Sequence, residues 1–231
     1  LGVDEAGRGP VLGPMVYACA FVPVAAKRGL RTCGFDDSKV LTESQRRRLF
    51  HGLAGTPWLG YALTVLTPQS ISAGMLARAK VNLNTQAHDT TIALIARVLD
   101  RGYHVRQVYI DTVGPPETYQ AKLAKRFPQI DRIVVAKKAD ALYPVVSAAS
   151  IVAKVTRDAV LAGWAPREHG AAGARVAASL AVMGSGYPGD PKTVAWLQAH
   201  RHPVFGFPDV VRFSWSTAAV QMDKACVAVV W

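Results

Sequence analysis

Two short β-branched runs, Val105–Ile110 and Arg132–Ala136, are separated by the helix-length segment Pro116–Phe127. Parallel strands cannot be joined by a tight turn, so this alternation points to strands linked by helical crossovers. Upstream, Gly2–Glu5, Met15–Val22 and Trp58–Leu66 read as three further strands, the first two joined by a Gly/Pro-rich turn that suits a hairpin. Helices are predicted from a Thr42-capped start to about Leu53, over Thr85–Leu99, over the small-residue stretch Ser147–Trp164, and over Asp190–His200 and Ser214–Val229. Three strands followed by helix–strand–helix–strand–helix make an α/β domain with a mixed sheet flanked by helices, with a helical C-terminal portion. The expected division is 1–164 for the sheet domain and 165–231 for the helical portion. Ala165–Met183 is Ala/Gly/Arg-rich, shows no clear period and reads as a surface insertion.

Half of the 231 residues are hydrophobic, enough for a substantial core, which argues against disorder. No apolar run approaches the ~20 residues of a membrane-spanning helix, and the densest, Pro144–Val155, contains serines and Lys154. Lys and Arg number 27 against 16 Asp and Glu, a net charge of +11. Such a surplus suits a polyanionic partner, because every phosphate neutralised releases condensed counterions; solubility charge alone is the plainer alternative. The basic residues are scattered, which disfavours a membrane-surface helix. Cys19, Cys33 and Cys226 are odd in number and widely spaced, so they frame neither a disulfide scaffold nor a zinc site and fit a reducing compartment. The chain opens on Leu1 without a signal-like segment and reads as starting inside a domain.

Four acidic residues fall at strand ends or adjoining loops: Asp4, Glu5, Asp111 and Asp140. Ligands of α/β sheets gather at such edges. Adjacent Asp4 and Glu5 would point to opposite faces of a regular strand, so both serve one site only if the strand ends there. Clustered carboxylates raise one another's pKa unless cations compensate them. Hard divalent ions with oxygen ligands supply that compensation, and a pair of them can activate water on a phosphodiester. Taken singly, each Asp could equally be a helix cap or surface residue.

The order of motifs is more specific. Gly2-Val3-Asp4-Glu5-Ala6-Gly7-Arg8-Gly9-Pro10, Asp37-Ser38-Lys39-Val40-Leu41, Asn82-Leu83-Asn84 with His88-Asp89-Thr90, and Asp111-Thr112-Val113-Gly114 follow one another. Lys138-Ala139-Asp140-Ala141, Val146–Val155 with Arg157-Asp158, and Gly184-Ser185-Gly186-Tyr187-Pro188 complete the series. This succession resembles the type 2 ribonuclease H family. Pro115–Gln120, Pro203–Pro208 and Arg212-Phe213-Ser214-Trp215 are most similar to the catalytic subunit of its eukaryotic branch.

The resemblance implies an RNase H-like fold and metal ligation by Asp4, Glu5, Asp111 and Asp140, with Mg²⁺ or Mn²⁺ as cofactor. It implies hydrolysis of RNA in RNA/DNA hybrids and cleavage 5′ of single ribonucleotides in duplex DNA, leaving 3′-hydroxyl and 5′-phosphate ends. It further implies two accessory subunits in a heterotrimer, a tail in relatives that helps dock them, a nuclear setting, and a role in ribonucleotide removal and DNA replication and repair. Gly7-Arg8-Gly9 would contact the ribose 2′-hydroxyl, the local group that separates RNA from DNA, and Tyr187 would pack on the sugar at the RNA–DNA junction. Lys39, Asn82, Ser147, Lys154 and Arg157 are candidates for phosphate contact or support of the site. Lys154 and Arg157, about one turn apart, could equally be a solvated helix face, and His88 could be structural. Two rivals remain open: a nucleic-acid-binding scaffold of the same fold without catalysis, and another two-metal nuclease or integrase.

Overall fold

A computed structural model of the chain describes residues 1–35, 41–112, 114–167 and 170–229. Its five strands are β1 (Gly2–Ala6), β2 (Met15–Phe21), β3 (Gly60–Leu66), β4 (Gln107–Asp111) and β5 (Arg132–Ala136), in the order β3-β2-β1-β4-β5. β1 runs antiparallel to β2 and parallel to β4, and β4 runs parallel to β5. The sheet is therefore mixed, as the spacing of the sequence predicts. The helices are α1 (Lys27–Thr32), α2 (Glu43–Ala54), α3 (Pro68–Leu76), α4 (Leu83–Asp100), α5 (Pro116–Arg126), α6 (Ala139–Leu142), α7 (Pro144–Ala162), α8 (Gly170–Ser179), α9 (Pro191–Ala199) and α10 (Ser216–Ala225). No helix of the described residues is long and apolar enough to cross a membrane.

Two compact units share the chain, and each is discontinuous: Leu1–Ala6, Val16–Val65 and Asn84–Arg157 form the first, and Gly7–Met15, Leu66–Leu83 and Asp158–Trp231 the second. The sequence suggests a single boundary at 164/165. It does not reveal that the Gly7–Met15 segment folds with the distant C-terminal helices, because that association is made by tertiary contacts alone.

In the first unit the sheet is buried by small residues. Ala18 and Ala20 of β2 and Ala148, Ala149 and Ala153 of α7 are fully buried in one cluster with Val16, Tyr109, Val145, Val146 and Val152. Alanine at these positions lets helix and sheet backbones approach closely. The extreme case is Gly2, where a Cβ would lie 2.4 Å from both the carbonyl carbon and the oxygen of Val145. The start of α7 therefore rests directly on β1. α4 buries Ala87, Thr90, Thr91, Leu94, Ile95 and Val98, the three-and-four spacing of one helical face. α2 begins with a capping box in which Thr42 and Gln45 exchange side-chain and backbone bonds, as its sequence predicts.

The second unit has its own core of Val11, Leu12, Leu161, Val176, Leu180, Met183, Trp196, Leu197, Phe207, Val210, Val211 and Ala218. This corrects the reading of Ala165–Met183 as a patternless surface insertion. The segment forms α8 and a 3₁₀ turn, Leu180–Val182, and sends Val176, Leu180 and Met183 inward. Those three residues keep a helical spacing of four and three, which the surrounding alanines and glycines obscure. The indole N–H of Trp196 in α9 ties the segment down by donating to the Ser179 hydroxyl at 2.9 Å and its carbonyl at 3.2 Å. α10 is shorter than the sequence suggests, starting after an extended Trp215 and ending before an extended Cys226.

The backbone contact at Gly2 predicts that Gly2→Ala costs about 2–3 kcal/mol, since neither β1 nor the first turn of α7 can yield without moving the core. Calorimetry should register a fall in Tm of roughly 5–10 °C; an unchanged Tm would mean that α7 is free to slide on the sheet.

Candidate active site

In the first unit, β1 pairs with β2 through Ala6↔Val16, whereas its pairing with β4 stops at Val3↔Ile110. Asp4 and Glu5 are thus still strand residues on the β2 side but stand beyond the last paired residue on the β4 side. β1 ends one residue after Glu5, close to where the sequence places its end, and its ladder with β4 ends earlier. Asp111, the last residue of β4, lies one step past Ile110. Asp140 is not at a strand end but in the first turn of α6, and it is buried.

Specific donors hold these carboxylates. Asp4, only 5% exposed, accepts the Glu5 amide at 2.7 Å and the hydroxyl of Ser150 on α7. Asp111 accepts the Ala139 amide at 2.9 Å, and Asp140 accepts the Ala141 amide at 3.1 Å. Lys138, which precedes α6, adopts a left-handed conformation with φ 55°, a cost of about 1 kcal/mol for a residue with a Cβ. That turn follows β5 by two residues and leads directly into the amide that reaches Asp111.

Burial is the main reason the Asp4 carboxyl is pushed well above the ordinary range, with repulsion from Glu5 and then Asp111 adding to it. The Ser150 hydroxyl and Glu5 amide offset only part of this. Among the described residues no three His, Cys, Asp or Glu side chains already converge as a metal cage. The arrangement is instead a desolvated Asp4 carboxylate repelled by Glu5 and Asp111, hard oxygen donors that a divalent cation would draw together. The donor chemistry fits such an ion.

Around the carboxylates, Tyr119 is buried, and burial together with Glu5 and Asp89 pushes its phenol up. His88 stacks on the Tyr119 ring with centroids 3.7 Å apart and planes at 11°, which gives it a packing role. Ser147, Ser150, Lys154 and Arg157 follow one another at three- and four-residue steps along α7. Ser147 and Arg157 are buried, which removes the reading of Arg157 as part of a solvated face. Ser150 escaped the sequence reading. The signal was its place on the same stripe, three residues after Ser147 and four before Lys154. Lys39 lies outside the described residues.

In the second unit, Asn82 is exposed immediately before α4. Gly7-Arg8-Gly9 is held by its carbonyls. Arg212, with no solvent exposure, donates from Nε to Gly13 O at 2.8 Å, from Nη1 to Arg8 O at 3.0 Å and from Nη2 to Gly7 O. Trp215 Nε1 donates to Gly9 O at 3.0 Å, and the Arg212 guanidinium lies 4.8 Å from the Trp215 ring centroid. A buried cation bonded to carbonyls at both ends of the Gly7–Gly13 segment fixes that segment's shape.

Gly9 lies against Tyr187: a Cβ there would come within 2.8 Å of Cε1 of the ring, which is 53% exposed. The Tyr187 loop is pinned by Val11 N–H to Gly186 O at 2.8 Å, by Gly186 N–H to Thr193 Oγ1 at 2.9 Å, and by Asp190, which accepts the Ser185 and Lys192 amides. Those amides draw the Asp190 carboxyl down to about 2. The structure thus brings together two motifs, around Gly9 and Tyr187, that the sequence could only name separately. It also adds Arg212 and Trp215 as their anchors.

Because the Asp4 carboxyl is raised, its ionisation opposes folding: the metal-free protein loses stability as pH climbs from about 4 towards the raised value, and the loss persists above it. Asp4→Asn should therefore raise the Tm of the metal-free protein near pH 7, with the advantage vanishing below about pH 3, where the carboxyl is protonated in both states. Thermal melts in chelator at the two pH values check this; a lower Tm for the variant at pH 7 would show that the cluster is not under electrostatic strain.

The ribonuclease HII family model matches residues 1–218. A ribonuclease H2 subunit from Homo sapiens is 53% identical over 231 residues, covering 100% of this chain and 75% of that protein. The Arabidopsis thaliana protein of the same description is 50% identical over 231 residues, with the same coverage. Among solved structures, ribonuclease H2 from Pyrococcus horikoshii OT3 matches with a TM-score of 0.77 at 31% identity, covering 96% of each chain. The mixed sheet is accordingly an RNase H-like sheet. With a family match across nearly all of its length and relatives at half identity, the chain belongs to the ribonuclease HII family.

Proposed function

We propose that this ribonuclease H hydrolyses the RNA strand of RNA/DNA hybrids and cuts 5′ of single ribonucleotides in duplex DNA, leaving 3′-hydroxyl and 5′-phosphate ends. The observation that carries the reading is the buried Asp4 carboxylate repelled by half-buried Glu5 and Asp111, with buried Asp140 next to the Ala139 amide that bonds Asp111. Asp4, Glu5, Asp111 and Asp140 are the residues that would hold two divalent ions, Mg²⁺ or Mn²⁺. Such ions, when bound, lower the pKa of water and stabilise charge on a phosphodiester. The protein's own contribution is to desolvate the carboxylates and to fix their oxygens through Ser150 and the Glu5, Ala139 and Ala141 amides.

In the second unit, Gly7-Arg8-Gly9 offers a backbone that a ribose can approach, since two of its three residues lack side chains. Its carbonyls are engaged by Arg212 and Trp215, which fixes the loop for reading a 2′-hydroxyl. The half-exposed Tyr187 ring beside Gly9 is suited to packing on the adjoining sugar. Asn82, Lys154 and Lys39 are candidates for phosphate contact. Buried Ser147 and Arg157 are better suited to supporting the helix that carries Ser150. The net charge of +11 supports a nucleic-acid substrate.

Because the half-identical relatives are named as subunits of ribonuclease H2, this chain is one component of a multi-subunit enzyme. We take its partners to be two accessory subunits, its location to be the nucleus, and its role to be ribonucleotide removal during DNA replication and repair. A catalytically inactive scaffold is disfavoured by the presence of all four carboxylates.

Removing an outer partner of a metal ligand typically costs about 10–100-fold, so removing a ligand should cost more. On a duplex with one embedded ribonucleotide, Asp4→Asn and Asp111→Asn should each cut cleavage by about a hundredfold or more; wild-type rates in both would sink the metal-ligand assignment. Tyr187→Ala should slow cleavage at a single ribonucleotide about tenfold more than cleavage of a long hybrid, by analogy with the loss of one base-stacking aromatic. Equal losses on the two substrates would remove the junction role.

A further inference from the structure

Lys138 combines three properties that no role given so far explains. It is exposed. It holds a left-handed backbone at φ 55°, the one positive φ outside glycine among the described residues. It also stands at the rim of the carboxylate cluster. Ala136, the last residue of β5, is in register with Asp111, and Lys137 and Lys138 emerge from the sheet at that level. The next amide, of Ala139, is bonded to Asp111, and the next carboxylate is Asp140. Glycine would make the same turn without strain. A side chain exposed to solvent returns no packing to offset that strain. What lysine contributes at this position is its charge.

The electrostatics of the site leave that charge a task. Two divalent ions against four carboxylates come to a net charge of zero, so an incoming phosphodiester finds no net attraction there, and its charge grows as the bond breaks. A fixed cation at the rim supplies what the ions and carboxylates do not. We propose that Lys138 is a substrate-binding residue whose ammonium group contacts a phosphate of the cleaved strand next to the carboxylate cluster. This rests on the reading of the protein as a hybrid-cutting nuclease. A phosphate here fits better than an ion pair serving the fold, because an internal ion pair gives no reason for the cation to sit on a strained, solvent-facing turn.

Three variants of the full-length protein, purified with the subunits it assembles with, separate charge from strain: Lys138→Ala, Lys138→Gly and Lys138→Arg. Binding to a fluorescent RNA/DNA hybrid is followed by anisotropy in Ca²⁺ across a salt series, and Tm is measured alongside. Lys138→Ala and Lys138→Gly should both weaken binding about fivefold to tenfold and make the slope of log Kd against log salt shallower by about 0.7–0.9, the signature of one lost phosphate contact. Lys138→Arg should bind like the wild type. Only Lys138→Gly should raise Tm, because it alone relieves the backbone. If the wild type binds but Lys138→Ala and Lys138→Gly keep its affinity and salt slope, this inference is overturned and the functional reading stands. A wild-type protein that does not bind the hybrid overturns both.

Discussion

Everything at the carboxylate cluster depends on the burial of Asp4 in the middle of a sheet. An ionised carboxylate shielded from water, with Glu5 and Asp111 adding repulsion, is unfavourable in the folded state. The surrounding structure partly offsets it. α7 can bring the Ser150 hydroxyl to Asp4 because Gly2 lets the helix start lie on β1 and because Ala148, Ala149 and Ala153 leave no bulk between helix and sheet. The small residues of the core and the chemistry of the site are therefore one design. Larger side chains would fill the core equally well but would lift Ser150 away from Asp4. The residual strain is of the kind that active sites carry, where stability is given up so that a ligand can restore it.

The second unit solves a different problem with the opposite device. A glycine-containing loop has little intrinsic reason to hold one shape. Here a buried guanidinium and an indole N–H engage the carbonyls of Gly7, Arg8, Gly9 and Gly13, so the loop is shaped from below by charge-assisted hydrogen bonds and not by its own residues. Arg212 is wholly buried, and its carbonyl partners explain how a cation is accommodated there. Tyr187 is fixed by a separate set of bonds from Val11, Thr193 and Asp190, and meets Gly9 where a side chain would not fit. The second unit thus holds backbone in place, whereas the first holds side chains in place.

Much of this was legible in the sequence. The capped start of α2, the α5 crossover between β4 and β5, and the small-residue α7 follow from local signals that survive folding unchanged. The places of Asp4, Glu5 and Asp111 towards the ends of β1 and β4 follow from the apolar strand residues that lead up to them. Other features were hidden for definite reasons. Asp140 reads as a residue just past a strand, not as part of a helix, because the left-handed turn at Lys138, which starts α6, has no glycine to announce it. The α8 segment reads as an insertion because alanine dilutes its period, although Val176, Leu180 and Met183 are buried at helical spacing. Ser150 is one serine among several, and nothing in the chain says which of them meets Asp4.

By itself the sequence determined the strands, most of the helices and the family, since these rest on local pattern and on the order of motifs. Only the tertiary structure decided which groups act on which. It separated Gly7–Met15 from the strand that precedes it and joined it to residues about 200 positions away through Arg212. It also placed Asp4 under repulsion from Asp111 and next to Ser150. The physical reason is the same in both cases. Burial and hydrogen bonding act between residues near in space, and nothing in the one-dimensional order of a chain encodes which distant residues will exclude water together.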